Sequence, residues 1–149
     1  MKYVVLFPAF VLAGCTSQSF QEVSQPPDVA VQTPAVTSPP PDARTVAQFD
    51  TTTAQERAAA MASSEAAGET RLGTTIATLG SPADPGIWLK TPLVTERLLG
   101  RVDYNGTSVN LELRPSGGEA GSGSQISLPA MRLLDAPLTG LLELTVFKD

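Results

Sequence analysis

Hydrophobic and polar positions alternate most regularly in the middle of the chain. Arg101-Val102-Asp103-Tyr104 and Thr107-Ser108-Val109-Asn110-Leu111-Glu112-Leu113 flank Asn105-Gly106. Two strands with Asn-Gly between them predict a hairpin on a type I′ turn, because that turn needs positive φ at both central residues. On the second strand Val109, Leu111 and Leu113 share one face, and Ser108, Asn110 and Glu112 the other, the period of a half-buried strand. The same alternation returns near the carboxyl end, where Leu142, Leu144 and Val146 interleave with Glu143, Thr145 and Phe147. Upstream, residues 74–79 are rich in β-branched side chains and stop at Gly80-Ser81-Pro82, while residues 87–90 run into Thr91-Pro92 and Leu93-Val94. Turn residues bound both runs, so each predicts a short strand. Residues 115–124 are Gly- and Ser-rich and predict a flexible loop. Behind it Ser127 caps a short helix through Pro129 and Leu134, which must stop before Pro137. About five strands and one short helix predict a mainly β domain over residues 70–149, a small barrel.

Toward the amino terminus the pattern changes twice. Thr53-Ala54-Gln55-Glu56 has the spacing of a capping box and opens an alanine-rich run. It predicts an Ala-rich helix within residues 53–68, from about Ala54 to Ala66 and ended by Gly68. Alanine offers little to pack with, so a docked helix and an extension of the preceding segment both remain open. Residues 15–52 form a Pro-rich linker containing Pro26-Pro27, Pro34 and Pro39-Pro40-Pro41 among Ser, Thr and Gln. Such a segment buries too little apolar surface to offset its ordering entropy. Fully extended, residues 16–45 would reach on the order of 90 Å.

Residues 1–14 carry one positive charge, Lys2, and an apolar run from Val4 to Leu12 broken by Pro8. That is well short of the roughly 20 apolar residues a membrane span needs and predicts a signal peptide. Its end, Leu12-Ala13-Gly14-Cys15, resembles the bacterial lipobox. The resemblance implies cleavage between Gly14 and Cys15 and lipidation of Cys15, with two or three acyl chains giving a stable anchor. In a Gram-negative host Thr16, where an inner-membrane lipoprotein of enterobacteria carries aspartate, implies the outer membrane, with the domain facing the periplasm.

Composition narrows the chemistry. The chain has no histidine and one cysteine, which excludes His-dependent triads, His metal sites, cysteine zinc clusters and an intramolecular disulfide. No cofactor and no metal is expected. A net charge of −5 argues against nucleic acid as a partner, since phosphate binding needs a basic face.

The run Gly106 to Leu113, the Gly-rich loop, the stretch Ile126 to Leu134 and the final strand look like the second half of a rare lipoprotein A-like double-psi β-barrel. The resemblance covers about residues 72–148 and implies that fold. It does not carry the activity across. In that family a loop aspartate is the proposed acid for cleaving glycan strands, and the matching Arg114-Pro115-Ser116 has no carboxylate. Gln125-Ile126 stands where the family has Asp-Leu, and glycoside cleavage needs a proton donor at the bond. Leu72 to Thr75, Gly86 to Val94 and Ser127 to Leu134 also resemble short lipoproteins of marine alphaproteobacteria sometimes labelled D-galactarate dehydratase. Sugar-acid dehydration needs a base and usually a metal, and the residues offer neither.

Four residues stand out as candidates for binding: Trp88, Lys90, Arg114 and Glu119. Trp88, the sole tryptophan, is either core or a stacking platform. Lys90, Arg97, Arg101, Arg114 and Arg132 are either a patch for acidic groups or scattered surface charge. Glu119 is either a substitute acid or a solvated loop residue, and Asp103 and Glu112 lack a partner motif. The Gly117 to Gly123 loop lacks the Lys-Ser/Thr of a phosphate loop. Together these features predict a lipid-anchored, non-catalytic protein whose barrel binds a cell-envelope partner. The alternative is a peptidoglycan-binding or glycan-cleaving barrel.

Overall fold

The computed structural model describes residues 37–62 and 69–149. The expectations for Gly14 and Cys15, and for the linker up to residue 36, fall outside them. The elements are α1 (Val46–Phe49), α2 (Ala54–Ala60), β1 (Thr70–Leu79), β2 (Trp88–Thr91), β3 (Leu98–Tyr104), β4 (Thr107–Pro115), β5 (Ser124–Ile126), α3 (Leu128–Leu133) and β6 (Leu142–Lys148).

The six strands close into a barrel in the order β1-β5-β2-β4-β3-β6. The β3–β4 hairpin turns at Asn105 and Gly106 with φ of 47° and 84°, as a type I′ turn requires. Val102 faces Val109 and Gly100 faces Leu111 across it. β1 pairs parallel with β5 and antiparallel with β6. β4 pairs parallel with β2 and antiparallel with β3. The ring is completed by antiparallel β2–β5 and β3–β6 contacts. Exchanging β1 with β4, β2 with β5 and β3 with β6 returns the same set of pairings, so the barrel is built from two like halves.

Alternation sets its two faces. Val109, Leu111 and Leu113 of β4 and Leu142, Leu144 and Val146 of β6 point inward and are buried, joined by Leu89 and Ile126 from the shorter strands. Ser127 caps α3 by accepting from the Ala130 N–H, and the same hydroxyl accepts from the Trp88 N–H at 3.0 Å. One buried hydroxyl therefore ties the helix to β2, and α3 adds Ala130 and Met131 to the core. Gly100 is needed for close approach: a Cβ there would lie 2.3 Å from the Phe147 carbonyl oxygen.

Three expectations need correction. There are six strands, not five, because Ser124–Ile126 pairs with β1 on one side and β2 on the other; three residues are too few to show a period. β1 begins at Thr70, and its register shifts between Arg71 and Gly73, which breaks the alternation that marks its second half. α2 stops at Ala60 with Met61 as its cap, short of Ala66; residues 63–68 lie outside the described residues.

Residues 37–52, expected as linker, hold α1, capped through reciprocal bonds between Thr45 and Gln48. Residues 37–62 touch the barrel at three places. The Asp50 carboxylate, 4% exposed, pairs with Arg132, Ala60 joins the core cluster, and the Asn110 amide donates to the Ala62 carbonyl at 2.8 Å. Of the two openings left for the Ala-rich helix, docking is the one observed.

Candidate functional site

β2 and β4 run parallel with Leu89 opposite Leu113, Trp88 opposite Glu112 and Lys90 opposite Arg114. Leu89 and Leu113 fill the barrel, so Trp88 and Lys90 belong to its outer face. Trp88 is nonetheless fully buried. The segment between β1 and β2 folds over it: the indole N–H donates to the Asp84 carbonyl at 3.1 Å, and a Cβ on Gly80 would lie 2.5 Å from the ring. Lys90 Nζ and the Arg114 guanidinium lie over the indole at 4.8 and 5.1 Å from its centroid. Such contacts contribute about 0.5–2 kcal/mol each.

Asp84 links the two cations. Its Oδ2 accepts from Lys90 Nζ at 2.9 Å and its Oδ1 from Arg114 Nη1 at 3.2 Å. Arg114 Nε also donates to Glu112 at 2.7 Å, and the other Glu112 oxygen accepts from Arg97 at 3.0 Å. The result is a line of alternating charge, Arg97, Glu112, Arg114, Asp84, Lys90, with three cations sharing two carboxylates. Partial burial pushes the Asp84 carboxyl up, and the Lys90 hydrogen bond and charge, with those of Arg114, more than offset it and hold it below its ordinary value.

Lys90 carries this line to a concave part of the surface. A groove of about 790 Å³ lies over the outward faces of β1, β5 and β2, within the range of about 300–1,000 Å³ usual for ligand sites. Thr78, Gln125 and Lys90 stand side by side across its floor, because Thr78 pairs with Gln125 and Gln125 with Lys90. The Gly-rich loop forms one wall through Ser116, Gly118 and Ser122. Gly117, Gly121 and Gly123 have φ between 72° and 87° there, a region open to glycine without strain. Ile76 and Leu141 form an apolar lip, 46% and 73% exposed. A second hollow of about 240 Å³ shares Ile76, Gly121 and Gly123 and reaches Leu93 and Glu143.

The structure sorts the residues singled out in the sequence. Trp88, Lys90 and Arg114 come together, and Arg97 joins them through Glu112. Trp88 offers no free face for stacking; it holds Lys90 and Arg114 in place from beneath. Glu119 sits on the exposed loop and does not line either hollow. The five cations are not one patch. Arg101 grips Glu69 with two hydrogen bonds of 2.9 and 2.7 Å, pairs with Asp103 and stacks on Phe147. Its hydrogen bond holds the Glu69 carboxyl below the usual range despite a desolvation cost, and the pairing raises the Arg101 pKa in turn. Arg132 serves the separate contact with Asp50. Asp103 and Glu112 do not meet; Asp103 lies opposite Ser108, and Glu112 opposite Leu99.

Asp84, Thr78, Gln125 and the Ile76–Leu141 lip were not anticipated. Ala83-Asp84-Pro85-Gly86 reads as a turn, and nothing local marks its aspartate as a bridge. Among the described residues no group of three or more Cys, Asp and Glu side chains is arranged to hold a metal ion, and no helix is long and apolar enough to cross a membrane. No protein-family model matches the chain, and neither does any curated protein or solved structure.

Proposed function

We propose that this protein is a lipoprotein anchored through Cys15 in the outer membrane, with its barrel in the periplasm binding a cell-envelope partner, and that the partner is peptidoglycan, held without cleavage. The observation that carries the binding reading is the groove itself: an open trough with Thr78, Gln125 and Lys90 across its floor and a Gly/Ser loop as its wall. Hydroxyl, amide, ammonium and exposed backbone groups are what a polar envelope polymer can bond. The two-halved pairing of the strands supports the finer description of the barrel as double-psi.

Among the described residues no carboxylate lines the main groove, which supports binding over glycan cleavage, a reaction that needs an acid at the scissile bond. Glu143 lines only the adjoining hollow.

Two experiments test the reading. Incubated with purified sacculi, the detergent-solubilised full chain is expected to sediment with them and release no muropeptides. Release of muropeptides would replace it with the glycan-cleaving alternative. In cells, the Cys15→Ala variant is expected to leave the membrane fraction; its retention there would overturn the anchor.

A further inference from the structure

We propose that the groove takes the peptide part of peptidoglycan and not its sugar strand: a short chain whose carboxylate pairs with Lys90 and whose alkyl side chain lies against Ile76 and Leu141. This rests on the reading of the groove as the binding site and names the ligand's chemistry.

Charge is the first reason. The line from Arg97 to Lys90 has one more cation than anion, and Lys90 is the end that lines the groove. Its ammonium gives one hydrogen to Asp84, and an ammonium has three. The groove side therefore retains donors, at one end of a line that carries one positive charge in excess, in a chain whose net charge is −5. A carboxylate answers both; a neutral sugar's hydroxyls can accept the hydrogens but leave the charge unanswered.

The second reason is the apolar surface. Sugar rings are commonly held by packing their C–H faces on an exposed aromatic ring, yet among the described residues no aromatic side chain lines either hollow. Trp88 lies beneath the cations, fully buried. The groove presents instead two branched aliphatic side chains, Ile76 and Leu141, suited to a methyl or similar alkyl group.

Spacing is the third. Neighbouring strands lie about 4.8 Å apart, so Thr78, Gln125 and Lys90 span about 10 Å, the rise of roughly three extended residues. A hydroxyl, an amide and an ammonium spread over that length can meet the polar backbone and terminal carboxylate of a short peptide. A concave trough of this volume also suits a short ligand better than the broad face of a folded protein, which needs about 800 Å² per partner.

The test is co-sedimentation of the full chain with intact sacculi and with the same sacculi after an amidase has stripped the peptides from the sugar strands. The proposal expects binding to the intact polymer, loss of binding on stripping, and competition by added free stem peptide. Lys90→Gln is expected to weaken binding about tenfold or more, the usual effect of losing a charged hydrogen bond, and Lys90→Arg to restore most of it. Circular dichroism of both variants checks that the fold is kept. Equal binding to stripped strands overturns the peptide assignment and leaves the groove reading standing. Failure to bind intact sacculi overturns the groove reading itself. Unchanged affinity in Lys90→Gln overturns the role of Lys90.

Discussion

Two arginines on this barrel sit in like surroundings and do different things. Arg101 stacks on Phe147 at 4.3 Å and lies between the carboxylates of Glu69 and Asp103. Arg114 lies over Trp88 at 5.1 Å and between the carboxylates of Asp84 and Glu112. Both are largely enclosed, 14% and 13% exposed. They differ in the partners of those carboxylates. Around Arg101 one cation serves two anions, and among the described residues the network ends there. Around Arg114 each carboxylate takes a further cation, Arg97 on one side and Lys90 on the other, and Lys90 reaches the groove. Arginine, aromatic ring and carboxylate are thus not a functional signature by themselves; what separates the candidate site from the clamp is a third cation, Lys90, that reaches the groove.

The comparison is broken most forcefully at Trp88. Trp88→Ala removes the surface on which Lys90 and Arg114 rest and is expected to cost about 3–5 kcal/mol, read by denaturant unfolding, with loss of sacculus binding. Next is Arg101→Gln. It leaves Glu69 and Asp103 without their shared cation and is expected to lower the melting temperature while sacculus binding of the folded protein is unchanged. A binding defect there at temperatures where the variant is folded would erase the distinction between the two networks.

Asp84→Asn gives a smaller, pH-dependent effect. The folded Asp84 carboxyl titrates below its ordinary 3.8, so its ionised form stabilises the folded state fully above that value. The contribution is lost as pH falls through the folded value. The stability gap between wild type and Asp84→Asn is therefore expected at neutral pH and closes on acidification below 3.8. A gap that persists in acid would show that the Asp84 charge does not bind the cluster together.

Local chemistry made half of this legible in the sequence. Asn105-Gly106 and the flanking alternation point to one hairpin, and Ser127 followed by Pro129 to one short helix, because each signal is contained in neighbouring residues. The long-range features had no such signal. β5 is a strand only because β1 and β2 pass on either side of it. Asp84 becomes a bridge only when the fold brings Arg114, thirty residues away, to its side. Trp88 is buried, as the core expectation for a lone tryptophan has it, but not inside the barrel. Its position opposite Glu112 puts it on the outer face, and the segment from Gly80 to Ile87 then covers it, so it is buried without belonging to the interior cluster. Lys90 and Arg114 stood out as isolated cations; that one opens on the groove and the other anchors it is a property of strand register.

The most direct test of the account is the sedimentation of full-length wild type, Lys90→Gln and Arg101→Gln with intact sacculi, at a temperature where all three are folded. Binding by wild type and Arg101→Gln, with affinity reduced about tenfold or more in Lys90→Gln alone, is the predicted result. Equal binding by all three, or equal loss in both variants, would contradict it.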